Sequence, residues 1–177
     1  IHMKKFLLAL LLATSILSST AFADFIDVPE THKNSAAIEA LVSQNILQGY
    51  SDSSFKPDQE VTRAEALKII LLGLGITVDD NATFSGSFSD VSTSDWYYKY
   101  VATAVNLGIV SGYDDGTFKP NQTVNRAEAI KILLITTGAT LENPDEEPFA
   151  DVALDAWFAS YADYAKTWNI EPAQTDG

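Results

Sequence analysis

Between residues 97 and 109, Tyr97, Val101, Ala104, Val105 and Ile109 fall on one face of a helix, with polar positions between them. Ala37, Ile38, Leu41, Val42 and Ile46 repeat that face earlier in the chain. Each pattern predicts an amphipathic helix lying on a core. A second kind of segment follows each one. Ala64 to Leu74 and Ala127 to Thr136 are apolar on almost every side. Past its first turn, Leu67, Ile69, Ile70, Leu71 and Leu72 leave Lys68 as the polar residue of the first segment. Ile130, Ile132, Leu133, Leu134 and Ile135 leave Lys131 in the second. Such helices belong at the centre of an assembly. Thr62-Arg63-Ala64-Glu65 marks the start of one with a capping box, and Asn125 replaces the threonine in the other and caps about as well. Between the two helices of each pair lie turn formers, Ser51-Asp52-Ser53-Ser54 and Asp114-Asp115-Gly116-Thr117. Phe55 and Phe118 can fold back there as apolar plugs, while Pro57 and Pro120 keep the next stretch extended. Any strand pairing in these loops would be minor. Gly49 and Gly112 stand just past the amphipathic helices, where a left-handed closing residue is wanted.

These patterns are copies of one another. Phe25-Ile26-Asp27-Val28 recurs as Phe88-Ser89-Asp90-Val91 and as Phe149-Ala150-Asp151-Val152, at offsets of 63 and 61 residues. Carrying the offsets forward aligns Phe55-Lys56-Pro57 with Phe118-Lys119-Pro120, Arg63-Ala64-Glu65 with Arg126-Ala127-Glu128, and Trp96 with Trp157. Asp176-Gly177 falls on Asp115-Gly116, so the third copy is expected to stop inside a turn, before its arginine segment. The organisation read from this is 24–87 for the first copy, 88–148 for the second and 149–177 for a partial third. Thr77 to Ser87 and Thr140 to Pro148 serve as linkers. An incomplete third copy would leave an apolar face open to self-association.

Residues 1–23 read differently. Ile1-His2 precede Met3 as a cloning remnant, Lys4 and Lys5 form a charged region, and Phe6 to Leu17 is apolar. Ala21-Phe22-Ala23 is a small-x-small cleavage site, so a secretory signal peptide and a mature chain from Asp24 are expected. The apolar run is shorter than the roughly 20 residues a spanning helix needs. No membrane span is therefore expected after cleavage. Without Lys4 and Lys5 the net charge falls from −13 to −15. Nucleic-acid binding, which needs clustered cations, is a poor fit to such a chain. With no cysteine and His32 as the one histidine after residue 23, neither thiol chemistry nor a catalytic histidine cluster is in evidence. The acidic loops fail the spacing of a calcium-binding hand. The reading is a binding protein, not an enzyme, with no cofactor and no metal site.

The arginines stand out. The chain has two, Arg63 and Arg126, and both occupy the first turn of an apolar helix, the unfavourable end of its dipole for a cation. An arginine beside free helix amides makes a site for a carboxylate or pyruvate group. A salt bridge to an aspartate of the neighbouring copy is the competing use. Asp27 and Asp90 precede the amphipathic helices, where they can cap a turn or contact ligand. Trp96 and Trp157 can stack on a sugar ring or wedge between helices as core. Gly49 and Gly112 can also let a ligand approach closely.

Taken together, the F-x-D-V opening, the W-Y-x-x-Y-V helix at Trp96 to Val101, the G-Y-x-D-G-T-F-K-P loop at Gly112 to Pro120 and T-R-A-E at Thr62 to Glu65 resemble the S-layer homology family. The resemblance covers nearly all of the chain after residue 23. It implies a mainly α fold, tandem helix-loop-helix repeats in a pseudo-threefold bundle with the second helices in the middle. It also implies cell-surface location and non-covalent attachment to a cell-wall polysaccharide, pyruvylated in many envelopes, or to a peptidoglycan-linked polymer. Ligand would lie in grooves between repeats, with Arg63 and Arg126 on its anionic part. The departures are Asn125 for the motif threonine, Lys33 at the position of Trp96 and Trp157, and the absent third arginine segment. The alternative function is a surface lattice assembling through the acidic repeats, with or without calcium. A third is an anchor fragment whose activity lies elsewhere in the gene product.

Overall fold

The structure is a computed structural model that describes residues 25–170. The signal peptide and the Asp176-Gly177 turn expected from the sequence lie outside the described residues. Within them the fold is mainly α, as the repeat pattern requires. Five helices follow in order: α1 (Ser35–Ser43), α2 (Arg63–Gly73), α3 (Tyr98–Asn106), α4 (Arg126–Thr136) and α5 (Ala159–Thr167). Helices α1, α3 and α5 are the amphipathic first helices of the three copies; α2 and α4 are the apolar second helices. Among the described residues, the one β feature is an isolated antiparallel bridge between Thr62 and Thr123.

Both second helices begin as their sequences dictate. In α2 the Thr62 hydroxyl accepts from the Glu65 amide at 3.3 Å, and the Thr62 amide donates to Glu65 Oε2 at 2.8 Å. In α4 Asn125 Oδ1 accepts from the Glu128 amide at 2.9 Å, and the return bond is 3.1 Å. Asn125 therefore completes the same reciprocal box as threonine. The first helices carry no side-chain cap at their N-termini. Packing of their apolar faces holds them.

All five helices close with the same paired backbone bonds. In α3 the Gly108 amide reaches Val105 O and the Ile109 amide reaches Ala104 O. The left-handed residue at this closure is Gly108 (φ 71°), Asn45 (φ 59°) in α1 and Asn169 (φ 52°) in α5. This corrects the expectation for Gly49 and Gly112, which lie four residues further on. It also corrects the helix face, because Ile46 and Ile109 are not helical. Each is the residue that the closure folds back onto the helix, and each is buried.

The core straddles the repeat boundary. Ala64, Leu67 and Leu71 of α2 bury against Tyr97, Tyr100, Val101 and Ala104 at α3, together with Phe118 and Ile132. Helix α2 packs on both α3 and α4, and α4 packs on α5. Each second helix thus fills the space beneath the next copy's first helix. A smaller cluster of Val152, Ala159 and Ala162 serves the third copy.

Candidate functional site at the joint between copies

The first joint is built by loop 111–124 of copy two closing over the start of α2. The F-x-D-V aspartate sets that loop. Asp90 Oδ1 accepts from the Phe118 amide and Oδ2 from the Lys119 amide, both at 2.8 Å. Asp27 holds Phe55 and Lys56 identically in copy one, at 2.8 and 2.7 Å. The capped partner is thus a loop 28 residues downstream rather than the turn before the helix. Lys56 and Lys119 take φ of 58° and 57° under this clamp, a region costly for a residue with a Cβ. Their ammonium groups lie 4.1 Å from the ring centroids of Tyr50 and Tyr113.

The amide of Phe55, more than any other cause, holds the Asp27 carboxyl below its ordinary 3.8. The hydroxyls of Ser54 and Thr117 do the same to Asp52 and Asp115 in the two turns. A carboxyl depressed in the folded chain stabilises fully above its unfolded pKa, and that contribution disappears as pH falls through the folded value. The unfolding midpoint is therefore expected to stay level from neutral pH to about 5 and to drop between about pH 4 and 2. Thermal melts followed by circular dichroism check this; a midpoint unchanged down to the acid limit contradicts it.

Gly49 and Gly112 are required by contact. A Cβ on Gly49 would stand 2.1 Å from Phe25 Cε1 and 2.8 Å from Ser54 O. On Gly112 it would stand 2.3 Å from Phe88 Cε1 and 2.9 Å from Thr117 O. The ring of the F-x-D-V phenylalanine takes the space a side chain would need at each glycine, and Gly112 adds a φ of 75°.

Arg63 projects from α2 into this loop. Its guanidinium carbon is 5.1 Å from the Tyr113 ring centroid and 4.9 Å from that of Phe118. The Tyr113 hydroxyl donates to Glu128 Oε1 at 3.1 Å, so the α4 capping box also positions the aromatic wall. Among the described residues Arg63 Nε is buried without a hydrogen-bond partner, and Arg63 forms no ion pair with any of them. The neighbouring-aspartate salt bridge is thus not what holds it. The free helix amides expected beside it are not free. Arg63 N donates to Gln122 O at 2.8 Å and Ala64 N to Pro120 O at 3.0 Å, while Val124 N donates back to Val61 O at 3.0 Å. These bonds weld copy two onto the N-terminus of α2, and their carbonyls offset the dipole penalty on the cation. Any anion here is read by the guanidinium, not by the helix end. Arg126 is exposed at the start of α4.

The structure brings Arg63, Gly112 and Asp90 into one loop neighbourhood at the first joint. Asp27 and Gly49 form the matching loop of copy one. Trp96 and Trp157 stand on the surface, 53% and 56% exposed, which rules out the core-wedge alternative. Each faces the lone lysine of the preceding copy's apolar helix. Lys68 Nζ is 5.9 Å from the Trp96 ring and Lys131 Nζ is 5.3 Å from Trp157. The sequence showed these lysines as isolated polar positions without revealing that a tryptophan faces them. It likewise gave no sign that Tyr113 and Phe118 enclose Arg63, beyond their place in a recurring loop. Among the described residues no group of three His, Cys, Asp or Glu converges, and no helix is long and apolar enough to cross a membrane.

The sequence that builds this joint is similar to known proteins. The S-layer homology domain model matches residues 24–67 and 87–130, and the chain belongs to the S-layer homology family. The cellulosome-anchoring protein of Acetivibrio thermocellus is 31% identical over 151 residues, covering 80% of this chain and 32% of that protein. The surface-layer 125 kDa protein of Lysinibacillus sphaericus is 32% identical over 130 residues, covering 73% of this chain and 11% of that protein. An amylopullulanase of Thermoanaerobacterium thermosulfurigenes is 38% identical over 97 residues, covering 55% of this chain and 5% of that protein. The chain thus spans a third or less of these much longer relatives.

Proposed function

We propose that this chain is a non-catalytic anchor that holds an exported protein at the cell envelope by binding an anionic wall polysaccharide at the joints between copies. One observation carries the reading. In a chain with 24 carboxylates, Arg63 sits between two aromatic rings with a buried, unpartnered Nε and no ion pair to a described residue. A guanidinium held in a fixed orientation beside low-dielectric rings suits a carboxylate bound through paired hydrogen bonds. A pyruvylated sugar presents such a carboxylate. Arg126 opens α4 with the same capping box and is assigned the same role at the next joint. Trp96 and Trp157, each beside a lysine, extend the surface available to a sugar chain. The similarity to an anchoring protein and to a surface-layer protein supports an envelope location, and the two names fit a common attachment step.

Sedimentation with purified cell wall tests this. Charge-assisted hydrogen bonds are worth about 1.5–3 kcal/mol each, so the Arg63→Met, Arg126→Met double variant is expected to bind wall at least about tenfold more weakly. Methionine keeps the apolar stem against Phe118 and Tyr113, so folding is preserved and circular dichroism verifies it. Equal sedimentation of wild type and double variant would sink the proposal. Calcium-dependent self-association without wall material would favour a surface lattice instead.

A further inference from the structure

The two joints differ at the far ends of their apolar helices. At the first, linker 77–87 closes down on α3. Lys99 bonds Asp80, Asn106 Nδ2 donates to Thr83 O at 2.7 Å, and Phe84 stacks on Phe88 and Tyr98 at 5.4 and 5.9 Å. At the second joint the linker is two residues shorter, and its side-chain tie to α5 is one bond, Ser160 Oγ to Asn143 Oδ1 at 3.2 Å. A cleft of about 620 Å³ remains open there, between the C-terminal end of α4 and α5.

Its lining is not that of a packing defect. Asp163 stands at the repeat position of Ala102, which is fully buried at the first joint. Tyr164 replaces buried Thr103, and Trp168 replaces Leu107. A carboxylate is a costly choice for a surface that the protein itself covers, and it suits one that is left open. Trp168 is 66% exposed, its ring 5.9 Å from that of Tyr164 and tilted against it. Glu142, Ser160 and Thr167 complete a polar rim around this aromatic pair. Among the described residues no cation lines the cleft, and Lys166 turns to the Phe149 ring instead, 5.6 Å away.

We propose that this cleft is a second carbohydrate site, specific for neutral pyranose rings. The exposed Trp168 face offers a stacking platform for the apolar face of a sugar. Asp163 and Glu142 are acceptors for the ring hydroxyls, and Ser160 and Thr167 add donor–acceptor hydroxyls. The same two carboxylates exclude anionic sugars. The cleft also lies at the opposite end of α4 from Arg126, about 15 Å along an 11-residue helix. It therefore reads a different part of a glycan from the arginines, and it does not depend on their having the role proposed above.

The test uses the full chain labelled with nitrogen-15, titrated with uncharged tetrasaccharides of β-1,4-linked N-acetylglucosamine, β-1,4-linked glucose and α-1,6-linked mannose. The chain holds three tryptophans, so each indole N–H gives its own signal. At least one tetrasaccharide is expected to shift the Trp168 indole saturably. Trp168→Ala and Asp163→Asn are each expected to weaken that binding tenfold or more. Arg63→Met, Arg126→Met should leave it unchanged, whatever happens to wall binding. A Trp168 signal that none of the three glycans moves overturns the proposal. So does saturable binding that survives Trp168→Ala.

Discussion

Replacing Phe118 by alanine is expected to cost about 3–5 kcal/mol and to unfold the joint between the first two copies. Phe118 is fully buried. Its ring meets Phe88 at 5.6 Å and lies beneath the Arg63 guanidinium, in the same cluster as Leu67, Leu71 and Val101. Truncation leaves a void that these residues cannot refill, because Leu67 and Leu71 are fixed by α2 and Val101 by α3. It also strips one wall from Arg63. The repeat supplies its own control. Phe55 occupies the same motif position in copy one but is only partly buried, against Phe25 at 5.2 Å. Phe55→Ala is expected to cost about 1–2 kcal/mol, in proportion to the smaller area it hides. Urea unfolding of the two variants measures the difference. Equal costs would mean that the core does not cross the repeat boundary.

Gly112→Ala is the second large effect, at about 2–5 kcal/mol. The new Cβ would stand 2.3 Å from Phe88 and 2.9 Å from a backbone carbonyl, so the phenylalanine or the loop must move. Overpacking of this kind costs about 1–3 kcal/mol. The left-handed backbone, φ 75°, adds about 1–2 kcal/mol for a residue with a Cβ. Gly108→Ala separates these two contributions. Gly108 has φ 71° with nothing within 4 Å of the added atom, so only the backbone penalty applies. Gly108→Asn should restore most of even that, since Asn45 and Asn169 fill the same closure in the other copies. Chemical denaturation of the three variants would show Gly112→Ala well below the other two; a ranking with Gly108→Ala lowest would refute the contact argument.

Much of this was legible in the sequence because local signals carry it. The capping boxes at Thr62 and Asn125, the apolar helices and the turn-rich loops depend on residues within a few positions of one another. Periodicity was less faithful at the helix ends. Ile46 and Ile109 obey helical spacing, yet they are buried by a backbone reversal that spacing does not report. Local spacing points to Gly49 and Gly112 for that reversal, because a glycine after a helix has a ready local explanation. Their real constraint is a phenylalanine 24 residues upstream. A separation of 28 residues likewise hides the loop clamp of Asp27 and Asp90. For Arg63 the position was legible and the surroundings were not. Its aromatic walls and the carbonyls that consume the α2 amides belong to the next copy, so only tertiary structure sets them beside it.

That the core straddles the repeat boundary also bears on how such chains lengthen. A cut at the sequence boundary near residue 87 parts α2 from α3 and exposes Leu67 and Val101 together. Duplication of a whole repeat, by contrast, adds one more complete interlock and leaves the existing ones untouched. A series of such copies holds one fewer interlock than it has members. The valency of a chain built this way therefore counts junctions, and its first added member contributes more than the founding one could alone.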